Sequence, residues 1–122
     1  VPVREERFKV HELSLTQSLV TIAEEHARRA GATVIRSITL EVGAFSGAVP
    51  EALEFAFEVC SKGTLSEGAT LIIERVPGTG HCAACAVTVA CRELTAVCPA
   101  CGALAFTIDA GTELRIREME VD

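Results

Sequence analysis

The sequence predicts an α+β fold: a small mixed three-stranded sheet with two helices, carrying an inserted four-cysteine module. Three observations predict it. Two segments place apolar residues at helical spacing. A strand, helix, strand succession is followed by a third strand near the end of the chain. Between the second and third strands, four of the six cysteines stand as two C-x-x-C pairs.

Residues 1–9 (VPVREERFK) are charged, lack a period and contain Pro2, so they read as a disordered or non-native extension. The first helix is expected from Ser14 to Ala30. Leu15, Leu19, Ile22, Ala23 and Ala27 follow helical spacing, Ser14 and Gln17 have the spacing of a capping box, and Gly31 is a natural stop. Val34 to Val42 is a strand, with Ile38, Leu40 and Val42 on one face against Ser37, Thr39 and Glu41 on the other. Pro50 suits the first position of a second helix whose core stripe is Leu53, Ala56, Phe57 and Cys60. Leu71 to Val76 follows the Ser66-Glu67-Gly68 turn as a second strand, parallel to the first through the helical crossover. Glu113 to Val121 is the last strand. It changes phase near Arg117-Glu118, and it has to rejoin the earlier sheet because a strand cannot stand alone. The domain organisation expected is therefore 10–77 with 111–122 as one α/β domain and 78–110 as the inserted module.

Composition narrows the function classes. A chain of 122 residues has room for one domain, or a small domain with a smaller module. Hydrophobic residues at 49% and charged residues at 23% exclude a disordered or fibrous chain. The formal charge of −6 disfavours a nucleic-acid binder that relies on a general positive field. No apolar run approaches the ~20 residues of a membrane helix, and no leader-like segment opens the chain, so a cytoplasmic location is expected. With five Phe and neither Trp nor Tyr, the core has to be aliphatic.

The cysteine module carries the strongest chemical signal. Cys82, Cys85, Cys98 and Cys101 form two knuckles separated by twelve residues, a distance that lets four thiolates surround one tetrahedral ion. Without a leader, metal is a better reading than disulfides. Zinc is the expected ion, with iron in a rubredoxin-like site as the competitor. Four protein ligands close the shell, so the ion is structural, and the module reads as a zinc ribbon whose stability comes largely from metal. Only Arg92 is basic between Gly78 and Ala110, which speaks against a nucleic-acid ribbon. His81 is an alternative ligand but reads better as an exposed polar residue, because four cysteines already suffice. Cys91 reads as a bystander thiol, and Cys60 as a small buried hydrophobe.

The runs HELSLTQSLV, EVGAFSGAVPEALEFAFEV and GTLSEGATLIIERVP, the two knuckles with CPACG, and GTELRIREMEV occur in that order. Together they resemble the HypA/HybF family of nickel metallochaperones for [NiFe]-hydrogenase, over residues 10–122. The resemblance implies a nickel-binding α/β part and a zinc-binding four-cysteine part, with His11 and Glu12 matching the family's nickel-binding segment. An imidazole, backbone amides and a terminal amine make a nitrogen-rich, nearly square-planar set that suits Ni(II). Glu12 is expected to contribute its backbone amide and local negative charge. Where the family has its initiating Met this sequence has Val10, so Val10 is expected to correspond to a start codon, with residues 1–9 absent from the native protein. The implied partners are the GTPase HypB and the [NiFe]-hydrogenase large-subunit precursor, and self-association is open.

The alternative is a zinc-ribbon protein-interaction module without nickel transfer, which gives His11 and Glu12 no role. An enzyme is not expected. His11, His26 and His81 belong to neither a nucleophile motif nor an H-E-x-x-H site, and Glu24-Glu25-His26 reads as a solvated helix face.

Overall fold

A computed structural model describes the backbone of residues 3–122 and the side chains from Glu12 onward. Helices α1 (Val3–Arg29) and α2 (Pro50–Cys60) accompany strands β1 (Ile35–Gly43), β2 (Thr70–Val76) and β6 (Leu114–Val121); β3 (Thr79–Cys82), β4 (Thr88–Ala90) and β5 (Phe106–Ala110) lie between β2 and β6 in the chain. The first sheet has the order β2-β1-β6 and the second β4-β3-β5. At its start β1 donates the Ile35 N–H to Leu65 ahead of β2, and past its end Ala44 bonds Val76 at the end of β2, so the two strands run in parallel. The Asp122 N–H bonds Val34, and the Gly43 N–H bonds Glu113, so β6 runs antiparallel to β1. The sheet is mixed, as the sequence predicts, and its last strand does rejoin it.

Contacts divide the chain into two compact units. One comprises the chain up to Leu40 with Ala48–Ile73 and Ile116–Asp122; the other comprises Glu41–Gly47 and Glu74–Arg115. The second unit contains the cysteine segment together with the loop 43–47. The Phe45 N–H bonds the Gly111 carbonyl, and the Phe45 ring lies so close to Gly78 and Gly111 that a side chain at either glycine would strike it.

The helical unit buries Val20, Ala23, Ala27, Ile35, Ile38 and Phe57, with Cys60, Leu71, Ile116 and Met119 packed against them. Ile116 and Met119 reach the same core three residues apart, so the alternation along β6 changes phase between them, as the sequence suggests. Thr39, assigned to the outer face of β1, is buried as well.

Helix α1 differs most from expectation. It starts at Val3, so Ser14 and Gln17 lie inside the helix and form no capping box; the Ser14 carbonyl accepts the Ser18 hydroxyl at 3.2 Å. The segment read as a disordered extension is helical from Val3, because Arg, Glu and Lys dominate it and propagate a helix well. The buried stripe is also turned from the predicted one. It consists of Glu12, Thr16, Val20, Ala23 and Ala27, whereas Ile22 is 44% exposed. Small side chains on the inner face allow the aliphatic core to come close. The helix ends as predicted: the Ala32 N–H reaches Ala27 and the Gly31 N–H reaches Arg28, the two bonds of a Schellman stop with Gly31 in the left-handed region.

Candidate metal centre

The second sheet exists to bring two loops together. Strand β3 pairs antiparallel with β4 and with β5, with Gly80 opposite Val89 on one side and Cys82 opposite Phe106 on the other. The first knuckle leaves the end of β3, and the second precedes β5 in the chain. Their four Sγ atoms lie within 4.8 Å of one another, with Cys82 to Cys101 at 3.7 Å and Cys85 to Cys98 at 3.8 Å. An ion with metal–sulfur bonds of ~2.3 Å in a tetrahedron separates its sulfurs by ~3.8 Å. The donor set therefore fits a tetrahedral ion in chemistry and in size. Among the described residues this is the one cluster of three or more metal-ligating side chains.

The two knuckles repeat the same backbone bonds. In the first, Cys82 donates its N–H to Val87 and accepts at its carbonyl from Ala86; in the second, Cys98 donates to Ala103 and accepts from Gly102. The leading sulfur of each, Cys82 and Cys98, is buried and accepts the amide of the closing cysteine, Cys85 at 3.5 Å and Cys101 at 3.4 Å. Cys98 accepts a further amide from Ala100 at 3.3 Å. Each turn needs a residue with positive φ after its closing cysteine. Gly102 supplies 77°, and Ala86 is forced to 60°.

These amides order the charges. The Cys101 N–H, aided by that of Ala100, brings the Cys98 thiol down to about 7. At Cys85 the Val87 N–H lowers the value, but burial and the three neighbouring thiols outweigh it and push the thiol up to about 12. Cys101 is likewise raised: the Ala103 N–H pulls it down, while burial and the neighbouring thiols of Cys98 and Cys82 prevail. Four thiols this close resist carrying four charges at once, and a bound dication is what would let them ionise together.

Phe106 closes the cluster. With Cys82 and Cys98 it forms the buried core of the unit, with Val87, Val89, Cys91 and Ile108 against it. The sequence contains one signal for it, a single aromatic residue between the second knuckle and Gly111. Cys91 stays out of the sulfur cluster, as a bystander thiol should, and packs against this core, with its N–H bonding the Gly78 carbonyl. His81 is outside the sulfur cluster and exposed, with Nδ1 held by Asp109 at 2.8 and 2.9 Å. Cys60 is partly buried against the helical core, with its Sγ 3.8 Å from the Leu13 carbonyl.

The other sequence candidates are in the helical unit. The side chain of His11 lies outside the described residues. Glu12 is 2% exposed, and its two carboxylate oxygens accept the Val49 N–H at 3.2 and 3.3 Å. Val49 is the N-cap of α2 and has no cap from its own side chain, so Glu12 supplies one from another helix, with its negative charge at the positive end of the α2 dipole. Glu24, read as part of a solvated face, instead accepts the Leu65 N–H at 3.1 Å and pairs with Arg28 at 3.3 Å. Two carboxylates of α1 thereby fasten the chain on either side of α2, a role that no local motif announces.

Comparison with known proteins gives consistent matches. A family model described as HypA, hydrogenase/urease nickel incorporation metallochaperone, matches residues 10–121. The chain is 48% identical over 113 residues to the hydrogenase maturation factor HypA of Geobacter metallireducens and 49% identical to that of Geobacter sulfurreducens, each time over 93% of this chain and all of the relative. A solution structure of a HypA protein superposes with a TM-score of 0.69 at 26% identity, covering 92% of this chain and 96% of that one. The solution structure of the Ni metallochaperone HypA from Helicobacter pylori gives 0.64 at 26% identity, covering 90% and 96%.

Proposed function

Because the chain belongs to the HypA family of nickel-incorporation metallochaperones, we propose that it binds Ni(II) and delivers it for [NiFe]-hydrogenase maturation, with Zn(II) held permanently by Cys82, Cys85, Cys98 and Cys101. The observation that carries this reading is the family match across residues 10–121, which takes in both the HELS segment and the two knuckles. Zinc is the best fit to a closed, tetrahedral all-sulfur cage and supplies the positive charge that lets four thiolates coexist. The ion's role there is to hold the shape of the fold.

Nickel belongs at His11 and Glu12. The Glu12 carboxylate is engaged with Val49, so its contribution to nickel is its backbone amide and a fixed position for the residue before it. In a helix that runs from Val3, the amides of His11 and Glu12 are part of the intrahelical ladder. Square-planar amide ligation requires the first turns to unwind, or a chain that begins at Val10 and presents its amine there. Release then follows from protons. The imidazole and amides bind only when deprotonated, so affinity falls as the pH drops through the ordinary histidine range near ~6.5. The receiving partners proposed are the HypB GTPase and the [NiFe]-hydrogenase large-subunit precursor, in the cytoplasm, where thiols stay reduced.

The test is nickel titration of zinc-loaded protein beginning at position 10, with and without His11→Ala. Loss of the imidazole is expected to weaken nickel binding roughly 100-fold, or about 2.7 kcal/mol. Equal affinity in the two forms would leave the alternative, a zinc-ribbon interaction module without nickel transfer.

A further inference from the structure

Helix α2 fills the core with Leu53, Ala56 and Phe57, yet Phe55 on its other side is 70% exposed. Beside it is a groove of about 480 Å3, lined by Glu51, Glu54, Phe55 and Glu58 from the helix, with Phe57 reaching it from the core side, and by Leu71 of β2 and Ala69 just before that strand. Its charged lining residues are all acidic. Strand β2 is an edge of its sheet, so its outward amides and carbonyls offer a ladder to a further strand. We propose that this groove is a docking site for an extended, basic segment of a partner protein, which adds to β2 as a fourth strand and places an apolar side chain against Phe55.

The dimensions agree with that occupant. Glu51 and Glu58 are seven helical residues apart, or ~10.5 Å along α2. In an extended segment, residues four apart share a face at ~13 Å, a mismatch that lysine or arginine side chains absorb. The recognition pattern is therefore basic-x-apolar-x-basic, with the ladder supplying affinity and the alternate side chains specificity. A partner helix would leave the β2 edge unpaired. A second copy of this chain, paired edge to edge through β2, would bring two acidic rims together, which like charges oppose. The proposal is independent of nickel, since a chain that takes up no nickel keeps this groove.

The experiment is an NMR titration of the full zinc-loaded chain with the blocked heptapeptide TKTLTKT, whose two lysines and leucine share one face. KTTLTTK is the control, because it has the same composition with its leucine opposite the lysines. Saturable shifts confined to residues 51–58 and 69–73, slower exchange of β2 amides, and binding at least fivefold tighter than the control are expected. Glu54→Lys combined with Phe55→Ser should weaken the heptapeptide at least fivefold. Both side chains are exposed, and the unchanged remainder of the spectrum verifies the fold. As a milder check, Glu51→Gln with Glu58→Gln should reduce both the affinity and its salt dependence. Equal binding of the two peptides, shifts spread over other acidic surfaces, a helical bound peptide, or self-association of the free chain through Phe55 would each overturn the proposal.

Discussion

The two units of this chain close their cores by different means. The helical unit shuts water out with carbon: Val20, Ala23, Ala27, Ile35, Ile38 and Phe57 meet between helices and sheet. In the cysteine unit the buried core is Cys82, Cys98 and Phe106. That is one large side chain and two sulfurs, too little apolar surface to offset the conformational entropy of ordering about fifty residues. What replaces the missing carbon is an ion. The difference teaches that one short sequence can contain a part whose stability is intrinsic and a part whose stability is a binding constant.

Removing the metal should break this comparison most sharply. Stripping the ion, or replacing Cys98 with Ser, forfeits most of ~10–16 kcal/mol and should collapse amide dispersion across β3, β4 and β5 while the helical circular dichroism signal persists. Acid should act in the same direction, because each ligand binds as thiolate and protons compete for all four sulfurs as pH falls. Protection of the β3–β5 amides in metal-free protein would show that the carbon of this unit suffices after all.

The converse lesion is Leu53→Ala. Leu53 is 1% exposed in the helical unit, and the cavity should cost about 2–5 kcal/mol of that unit's stability in a denaturant melt. Metal affinity at the cysteines should stay unchanged. A smaller effect separates the two carboxylate ties of α1. Glu12→Ala removes the acceptor of the Val49 N–H and should cost about 1–3 kcal/mol. Glu24→Ala should cost less, since its oxygens are nearer to water and the freed Leu65 N–H can be rehydrated. If the two melts coincide, burial does not set the worth of these ties.

The smallest expected effects lie between the knuckles, which share one backbone and differ at the residue with positive φ. Ala86→Gly should relieve the left-handed strain and tighten metal binding by about 0.5–1 kcal/mol, whereas Gly102→Ala should loosen it by about 1–2 kcal/mol. Competition with a chelator reads both. Equal signs would mean that the two turns are not equivalent.

Much of this was legible in the chain. The apolar stripe of α2, its Pro50 start, the Gly31 stop of α1, the parallel β1 and β2 and the return of β6 all follow from patterns a few residues long. So do the four cysteines, whose spacing alone names a ligand set. The start of α1 was not legible, because a charged, aperiodic segment such as VREERFK looks like a loose end and is equally a good helix former. Nor were the strands of the cysteine unit, which are three to five residues long; β5 alternates Phe106 and Ile108 with Thr107 and Asp109, but five residues without a partner strand in view are a weak signal.

By itself the sequence determined α2, the end of α1, the strands β1, β2 and β6 and which atoms can hold a metal, because periodicity and ligand chemistry are local properties. Only the tertiary structure decided that α1 faces inward with Glu12 and Thr16 rather than Ile22, that Glu12 caps a different helix, that Phe106 seals the sulfurs and that Phe55 is left in the open. Each of these depends on what lies across from a side chain, and residues far apart in sequence become neighbours only when the chain as a whole has folded.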